Sequence, residues 1–148
     1  MAYAVGIGLA IAVGLLGTLA GLDRDRAFYS TVTIVVASYY GLFAVMGGSM
    51  AALAAESVVM AGFLLAAVTG FRRSSWILVA ALAAHGLFDA VHGRVIVNPG
   101  MPSWWPPFCG AYDVTAAGYL ASLLMTRRRT GAVASKGGDQ LGDNGAAK

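Results

Sequence analysis

Five long apolar stretches dominate the chain and are separated by short polar segments. Each has about 19 to 22 residues, which at 1.5 Å per residue is enough to cross the roughly 30 Å hydrocarbon core of a bilayer. Apolar runs of this length are too long for the buried helices of ordinary soluble domains. The pattern therefore predicts five membrane-spanning α-helices, at residues 3–21, 27–47, 49–70, 75–93 and 107–126.

The composition supports the same conclusion. Of the 148 residues, 58% are hydrophobic and only 11% are charged, whereas soluble domains carry about 25% charged residues. So few charges cannot cover a globule in water, so we predict an all-α integral membrane bundle that forms a single domain over residues 1–129. Residues 130–148 contain no aromatic residue and no apolar period, which predicts a disordered cytoplasmic tail.

The basic residues indicate how the bundle is oriented. Cytoplasmic loops of membrane proteins are enriched in Lys and Arg. With the N-terminus outside, nine of the ten basic residues fall on the cytoplasmic side: Arg24, Arg26, Arg72, Arg73, Arg127, Arg128, Arg129, Lys136 and Lys148. We therefore predict a multi-pass protein of the cell membrane with an extracytoplasmic N-terminus and a cytoplasmic C-terminus. The basic residues form no stripe with interleaved aromatics, so no nucleic acid partner is expected.

Ionisable side chains inside the predicted spans are the candidate functional groups. They are Glu56, His85, Asp89, His92 and Asp113. Each costs roughly 2.5 kcal/mol or more at the centre of a helix, so such groups usually face the bundle interior and mark function. The three on the fourth helix are spaced i, i+4 and i+7, which places them within about 60° of arc on one face.

The predicted orientation places these groups at a common depth. Counted from the outer ends of their helices, four of them lie roughly 6 to 12 Å deep, with His92 near the outer mouth. Three helices therefore bring ionisable groups into the outer half of the membrane. We expect a polar pocket there that is open, or nearly open, to the extracytoplasmic side.

The residue types in this pocket are those of a divalent metal site. Imidazoles and carboxylates bind catalytic Zn, Mn or Fe. His85 and His92 are about 10.5 Å apart along the helix axis, which disfavours a shared ion. The preferred ligand set is therefore His85, Asp89 and Glu56, with Asp113 as the alternative third ligand. The expected cofactor is a divalent metal such as zinc, with His92 left to support a ligand by a hydrogen bond or to carry protons.

Two interpretations without a metal stay open. The same carboxylates and histidines can perform acid–base or proton-relay work. They can also serve only as hydrogen bonds that fix helix packing, because polar groups in lipid must find partners.

Several other residues are candidates for contact with a substrate. Arg94 is the one basic residue predicted outside, where it meets lipid phosphate or an anionic substrate group. Tyr39, Tyr40 and Tyr112 fall at the depth of the pocket. Tyr39 and Tyr40 are expected to be packing residues, with a pocket-lining hydroxyl as the alternative. Trp104 lies at the expected membrane interface, where aromatic residues act as anchors. Cys109 is expected to be a small apolar filler, with a thiol role as the alternative.

The stretch from His85 to Tyr119 contains the pattern HGLxDxxH, then PxWxPxFC, then a Tyr-Asp pair. This pattern resembles a group of small multi-pass bacterial membrane proteins of unknown function. The resemblance covers about a quarter of the chain and implies no activity. It implies that the following residues belong to one unit: His85, Asp89, His92, Pro106, Cys109 and Asp113.

These observations favour a small membrane enzyme, a hydrolase or isomerase, that acts on a lipidic substrate entering the pocket laterally. In this hypothesis His85, Asp89 and Glu56 carry the chemistry, and Asp113 orients His92. A proton- or ion-coupled transporter or subunit is the first alternative, and a structural or partner protein is the second. Membrane lipids are the expected partners, and a homo-oligomer is compatible with the sequence.

Overall fold

The computed structural model describes the backbone of residues 1–143 and the side chains of residues 1–130. This part of the chain is all-α and contains no strand. The helices are α1 (Ala2–Ala20), α2 (Ala27–Met46), α3 (Met50–Arg72), α4 (Ser75–Val95) and α5 (Trp105–Asp143). All five are long and apolar enough to span a membrane, in α5 over Trp105–Thr130. The predicted all-α bundle of five long apolar helices is confirmed. The helix ends lie within two residues of the expected positions, except that α5 continues to Asp143 instead of ending at residue 126.

Short polar and glycine-containing segments define where the helices begin and end. The hydroxyls of Ser49 and Ser74 accept hydrogen bonds from backbone N–H groups in the first turns of α3 and α4, which satisfies donors that have no partner inside a helix. Gly21 ends α1 with φ of 74°, and Gly48 has φ of 64° in the turn between α2 and α3. Only glycine adopts this left-handed conformation without strain.

The helices pack in the spatial order α1, α5, α4, α3, α2. Helix α5 packs against both α1 and α4, and α3 packs against both α4 and α2. Within the described residues, the backbones of α1 and α5 approach that of α2 less closely than these neighbouring pairs approach one another. The bundle therefore has one loosely packed side, between α2 and the α1–α5 pair.

Helices α4 and α5 approach each other closely at a pair of glycines. A Cβ atom on Gly86 would lie 2.9 Å from the carbonyl oxygen of Gly110, and one on Gly110 would lie 3.1 Å from the carbonyl oxygen of Gly86. The absence of side chains at both positions therefore allows the two backbones to touch. The contact brings the neighbouring polar residues of α4 and α5 within reach of one another.

The segments that were predicted to face the cytoplasm meet at one end of the bundle, here called the basic end. Arg127 of α5 donates to the carboxylate of Asp23 at 3.1 Å, and Arg26 donates to the carbonyl oxygen of Phe71 at 3.3 Å. The guanidinium of Arg128 lies over the ring of Trp76. The side of the membrane that this end faces stays a prediction.

The predicted tail at 130–148 falls largely beyond the described side chains. Helical backbone is described to Asp143, and residues 144–148 lie outside the described residues. The disorder and cytoplasmic location of the tail therefore stay predictions.

Candidate functional site

The ionisable side chains of the spans converge in the interior of the bundle. Glu56, His92 and Asp113 have no exposed surface, and His85 and Asp89 expose only 1% and 3%. They form two hydrogen-bonded groups, one between α4 and α5 and one between α3 and α4. This arrangement agrees with the expectation that three helices, α3, α4 and α5, direct their ionisable groups toward one another.

The first group combines nitrogen, oxygen and sulfur atoms of α4 and α5 that could bind a metal ion. It is called the donor cluster and consists of His85, Asp89, Cys109 and Asp113. One donor atom of each residue lies within 4.8 Å of those of the others. His85 Nδ1 lies 2.6 Å from Asp113 Oδ2 and 3.8 Å from Asp89 Oδ2. The thiol of Cys109 donates to Asp113 Oδ2 at 3.6 Å.

The second group is called the Glu56 unit and consists of Glu56, His92 and Asn98. Glu56 Oε1 lies 2.8 Å from His92 Nε2 and accepts a hydrogen bond from Asn98 Nδ2 at 2.9 Å. Asn98 belongs to the connection between α4 and α5, whereas Glu56 lies on α3. The Glu56 unit therefore fastens this connection over the interior of the bundle.

Tyr40 of α2 joins the two groups. Its hydroxyl donates to Asp89 Oδ1 at 2.5 Å. Its ring stacks on that of His92, with centroids 4.2 Å apart and an interplanar angle of 20°. Its backbone carbonyl accepts a second hydrogen bond from Asn98. One residue therefore contacts both groups and fixes the position of the Asp89 carboxylate.

Both groups contain buried polar atoms that find no hydrogen-bond partner in the described structure. In the donor cluster these are Asp89 Oδ2 and Asp113 Oδ1, and in the Glu56 unit they include Glu56 Oε2 and His92 Nδ1. Burying a carboxylate oxygen without a partner is costly, because the oxygen loses its hydration and gains no hydrogen bond in exchange. A bound cation or proton beside the donor cluster would relieve this cost.

The pairing of acids and histidines differs from the predicted one. Asp113 contacts His85 rather than orienting His92, and His92 contacts Glu56. Glu56 therefore belongs to a different group from its expected co-ligands His85 and Asp89. The reason is that α3 and α5 flank α4 on different sides, so each supplies an acid to a different histidine of α4.

The polar pocket is also more closed than expected. Its ionisable groups are almost fully buried, whereas the sequence pattern predicted an opening to the extracytoplasmic side. The cause is the connection at residues 96–104, which folds over the groups. Gly100 of this connection touches Phe43 and Gly47 at the end of α2, and Asn98 is held by Glu56 and Tyr40.

The predicted substrate-contacting residues fall into two sets. Tyr39, Tyr112 and Trp104 all line a cavity of about 690 Å³ between α1, α2 and the start of α5, here called the lateral groove. Arg94 instead lies exposed on the last turn of α4 and is not among the lining residues of this groove. The structure thus groups the aromatic candidates together and leaves the basic candidate apart.

Three residues have larger roles in the site than the sequence pattern indicates. Tyr40 was expected to pack, with a pocket hydroxyl as the alternative, and it donates to Asp89. Cys109 was expected to be an apolar filler, and its thiol lies in the donor cluster. Asn98 was not identified at all. Its only sequence signal is an uncharged polar residue between two spans, which is common in any loop.

Replacing Tyr40 with phenylalanine is expected to destabilise the bundle by about 1 to 3 kcal/mol, because Asp89 Oδ1 would stay buried without its donor. The matched control is Tyr39→Phe, since Tyr39 is half-buried and packs its ring on Trp105. Thermal unfolding in mild detergent measures both effects. Equal stability of the two variants would show that the Tyr40 hydroxyl does not matter for folding.

The residues that carry the family resemblance are spatially close. His85, Asp89, Cys109 and Asp113 form the donor cluster, and His92 lies in the Glu56 unit. The sequence matches no protein-family model, no curated protein and no solved structure. The resemblance to small multi-pass bacterial proteins stays a prediction.

Proposed function

We propose that this protein is a zinc-dependent enzyme of the cell membrane that acts on a lipidic substrate. The observation that carries the proposal is the donor cluster, in which four residues from two helices present N, O and S atoms within 4.8 Å of one another. This mixture of donors matches the preference of zinc for Cys, His and carboxylate ligands.

The chemistry of the cluster fits a divalent ion. Two carboxylate oxygens, Asp89 Oδ2 and Asp113 Oδ1, are buried without hydrogen-bond partners, and a doubly charged ion beside them would stabilise their negative charge. Binding would displace the hydrogen between His85 and Asp113 and release the proton of the Cys109 thiol, because zinc ligands bind in their deprotonated forms. The proposed ligands differ from the sequence-based set of His85, Asp89 and Glu56. Asp113, the alternative third ligand of that prediction, and Cys109 take the places of Glu56 and Asp89.

We assign the roles within the cluster from its hydrogen bonds. Zinc sites that perform catalysis use three protein ligands and keep a fourth position open. His85, Cys109 and Asp113 would be these ligands. Asp89 is held through Oδ1 by Tyr40, and its free Oδ2 is placed to accept or return a proton. Zinc in such a site polarises a carbonyl group or activates a water molecule.

Hydrolysis and isomerisation are the reaction classes that these groups can support, since both need a polarised oxygen and a nearby base. The substrate would come from the bilayer, because Cys109 of the cluster also lines the lateral groove. In the predicted orientation this groove opens in the outer leaflet. The Glu56 unit would hold Tyr40 and the covering connection in place rather than bind the metal.

Metal content per protomer tests the proposal. Protein extracted in mild detergent without chelator is expected to hold about one equivalent of zinc. His85→Gln should lose it, whereas His92→Gln, on the same helix and equally buried, should keep it. Absence of zinc after reconstitution, or equal loss in both variants, would contradict the metal site. Unchanged lipid profiles in cells carrying Asp89→Asn, with the protein still made, would contradict the enzyme.

A further inference from the structure

The lateral groove is a built cavity on the loosely packed side of the bundle. Its volume of about 690 Å³ lies within the range of about 300 to 1,000 Å³ that small-molecule sites occupy. Side chains of α1, α2 and α5 form its walls, among them Leu9, Val36 and Phe108. Because the exposed surfaces of these helices are apolar, we expect the groove to be open to the hydrocarbon of the bilayer.

A second cavity extends the groove along α2. It has a volume of about 520 Å³, shares Val35, Val36 and Tyr112 with the lateral groove, and reaches Ala27 at the start of the helix. From Ala27 to Tyr39 the helix rises about 18 Å, which exceeds the roughly 15 Å of hydrocarbon in one leaflet. The combined cleft can therefore hold one long apolar chain lying along α2.

The groove reaches the donor cluster at a single point. Cys109 lines the groove, and its thiol contacts Asp113 in the cluster. The opposite approach is blocked, because the connection at residues 96–104 covers the interior of the bundle through Asn98 and Gly100. A group that reaches the cluster from the groove must therefore arrive beside Cys109.

The charges around the cleft limit which lipids fit. No Lys, Arg or His is among the described residues that line either cavity. The one charged side chain in the lining is that of Asp25, which lies where the cleft reaches the basic end of the bundle. Apart from the terminal amine of the fully exposed Met1, no cationic group lines the groove. A phosphate group beside the buried Cys109 would therefore lose its hydration without gaining a cationic side chain. The lining therefore favours ligands without an anionic group.

We infer that the lateral groove binds a lipid with one long apolar chain and an uncharged polar end group, such as a hydroxyl or a carbonyl. The chain lies along α2, and the end group lies beside Cys109. That this lipid is the substrate, and not only a bound ligand, rests on the proposed function. It narrows the substrate class from lipids in general to lipids with an uncharged end group. The anionic substrate group, one of the two partners expected for Arg94, has no place in the groove.

Photolabelling of the full-length protein in phosphatidylcholine vesicles tests the inference. The probes are a long-chain alcohol and the corresponding alkyl phosphate, each with a diazirine in the same chain. We expect the alcohol to label peptides of α1, α2 and α5 that line the groove. Labelling by the phosphate should be about tenfold weaker, which corresponds to about 1.4 kcal/mol of binding free energy.

A variant that fills the groove supplies the second measurement. Val35 lines both cavities and is 44% exposed, so Val35→Trp occupies the cleft without entering a packed core. It should lower labelling by the alcohol about tenfold. Leu42→Trp is the matched control, because Leu42 is 50% exposed on the same helix and lines neither cavity.

The outcomes separate this inference from the proposed function. Equal labelling by both probes, or labelling that Val35→Trp does not lower, overturns the assignment of an uncharged lipid to the groove. Zinc content measured on the same samples reports on the donor cluster independently. If the labelling contradicts the inference but the protein still binds zinc, the metal site is supported and the lipid assignment is wrong. If the alcohol labels the groove selectively in a protein that binds no zinc, the lipid assignment is supported and the zinc-dependent enzyme is wrong.

Discussion

Alanine at Gly86 is expected to destabilise the bundle by about 2 kcal/mol and to disrupt the candidate site, because overpacking a tight contact typically costs about 1 to 3 kcal/mol. The added Cβ would lie 2.9 Å from the carbonyl oxygen of Gly110 and 2.9 Å from the Val114 side chain. The backbone oxygen cannot rotate away, so α4 and α5 must separate. That separation would pull His85 of α4 away from Asp113 of α5.

The same substitution elsewhere on α4 provides the control. Gly93 has no atom within 4 Å of the Cβ position, so Gly93→Ala meets no neighbour. There alanine should be neutral or stabilising by up to about 1 kcal/mol, because glycine is a poor helix former. Gly86→Ala should therefore lower the stability of the bundle, whereas Gly93→Ala should leave it unchanged or raise it. Thermal unfolding and zinc content in detergent check both effects, and equal behaviour of the pair would show that the α4–α5 contact is not tight.

The number and approximate limits of the helices follow from the sequence, because spanning a bilayer requires about 20 apolar residues in a row. The burial of the ionisable residues could also be expected from the sequence. A charged group such as Glu56 or Asp113 is too costly to face lipid, so it must face the interior. Hydrophobic length and the cost of burying charge are both properties of single segments.

The partners within the site depend on how separate segments pack, which the sequence pattern does not encode. Helical periodicity places His85 and His92 on one face of α4, but it does not decide which neighbouring helix lies beside each ring. That choice depends on contacts such as Gly86 against Gly110. Glu56 therefore was predicted beside His85 but contacts His92.

The role of the connection between α4 and α5 was missed for a related reason. Loops carry no periodicity from which burial can be inferred. Asn98 is 8% exposed because it donates to Glu56 and to the carbonyl of Tyr40, and these partners come from two other helices. The expected opening of the pocket assumed a loop that stays clear of the bundle, whereas this one closes it.

Removing zinc is expected to lower the stability of the protein by about 4 kcal/mol when the free zinc of the reference sample is about a thousand times its dissociation constant. The ion would bind the folded donor cluster, whose ligands come from two helices, and not the separated helices. A chelator should therefore lower the unfolding temperature of the wild type and of His92→Gln. It should leave His85→Gln unchanged, since that variant has already lost the ion.

The only cysteine of the chain reports the same event chemically. Cys109 is 2% exposed, and no other thiol is present. A metal-bound thiolate is protected from alkylation, whereas a free thiol reacts once the helices open. A dye that fluoresces on reaction with thiols should therefore label zinc-free protein at a lower temperature than zinc-bound protein. Coincident labelling curves with and without chelator would mean that Cys109 is not a ligand, and would reduce the donor cluster to a hydrogen-bonded contact between α4 and α5.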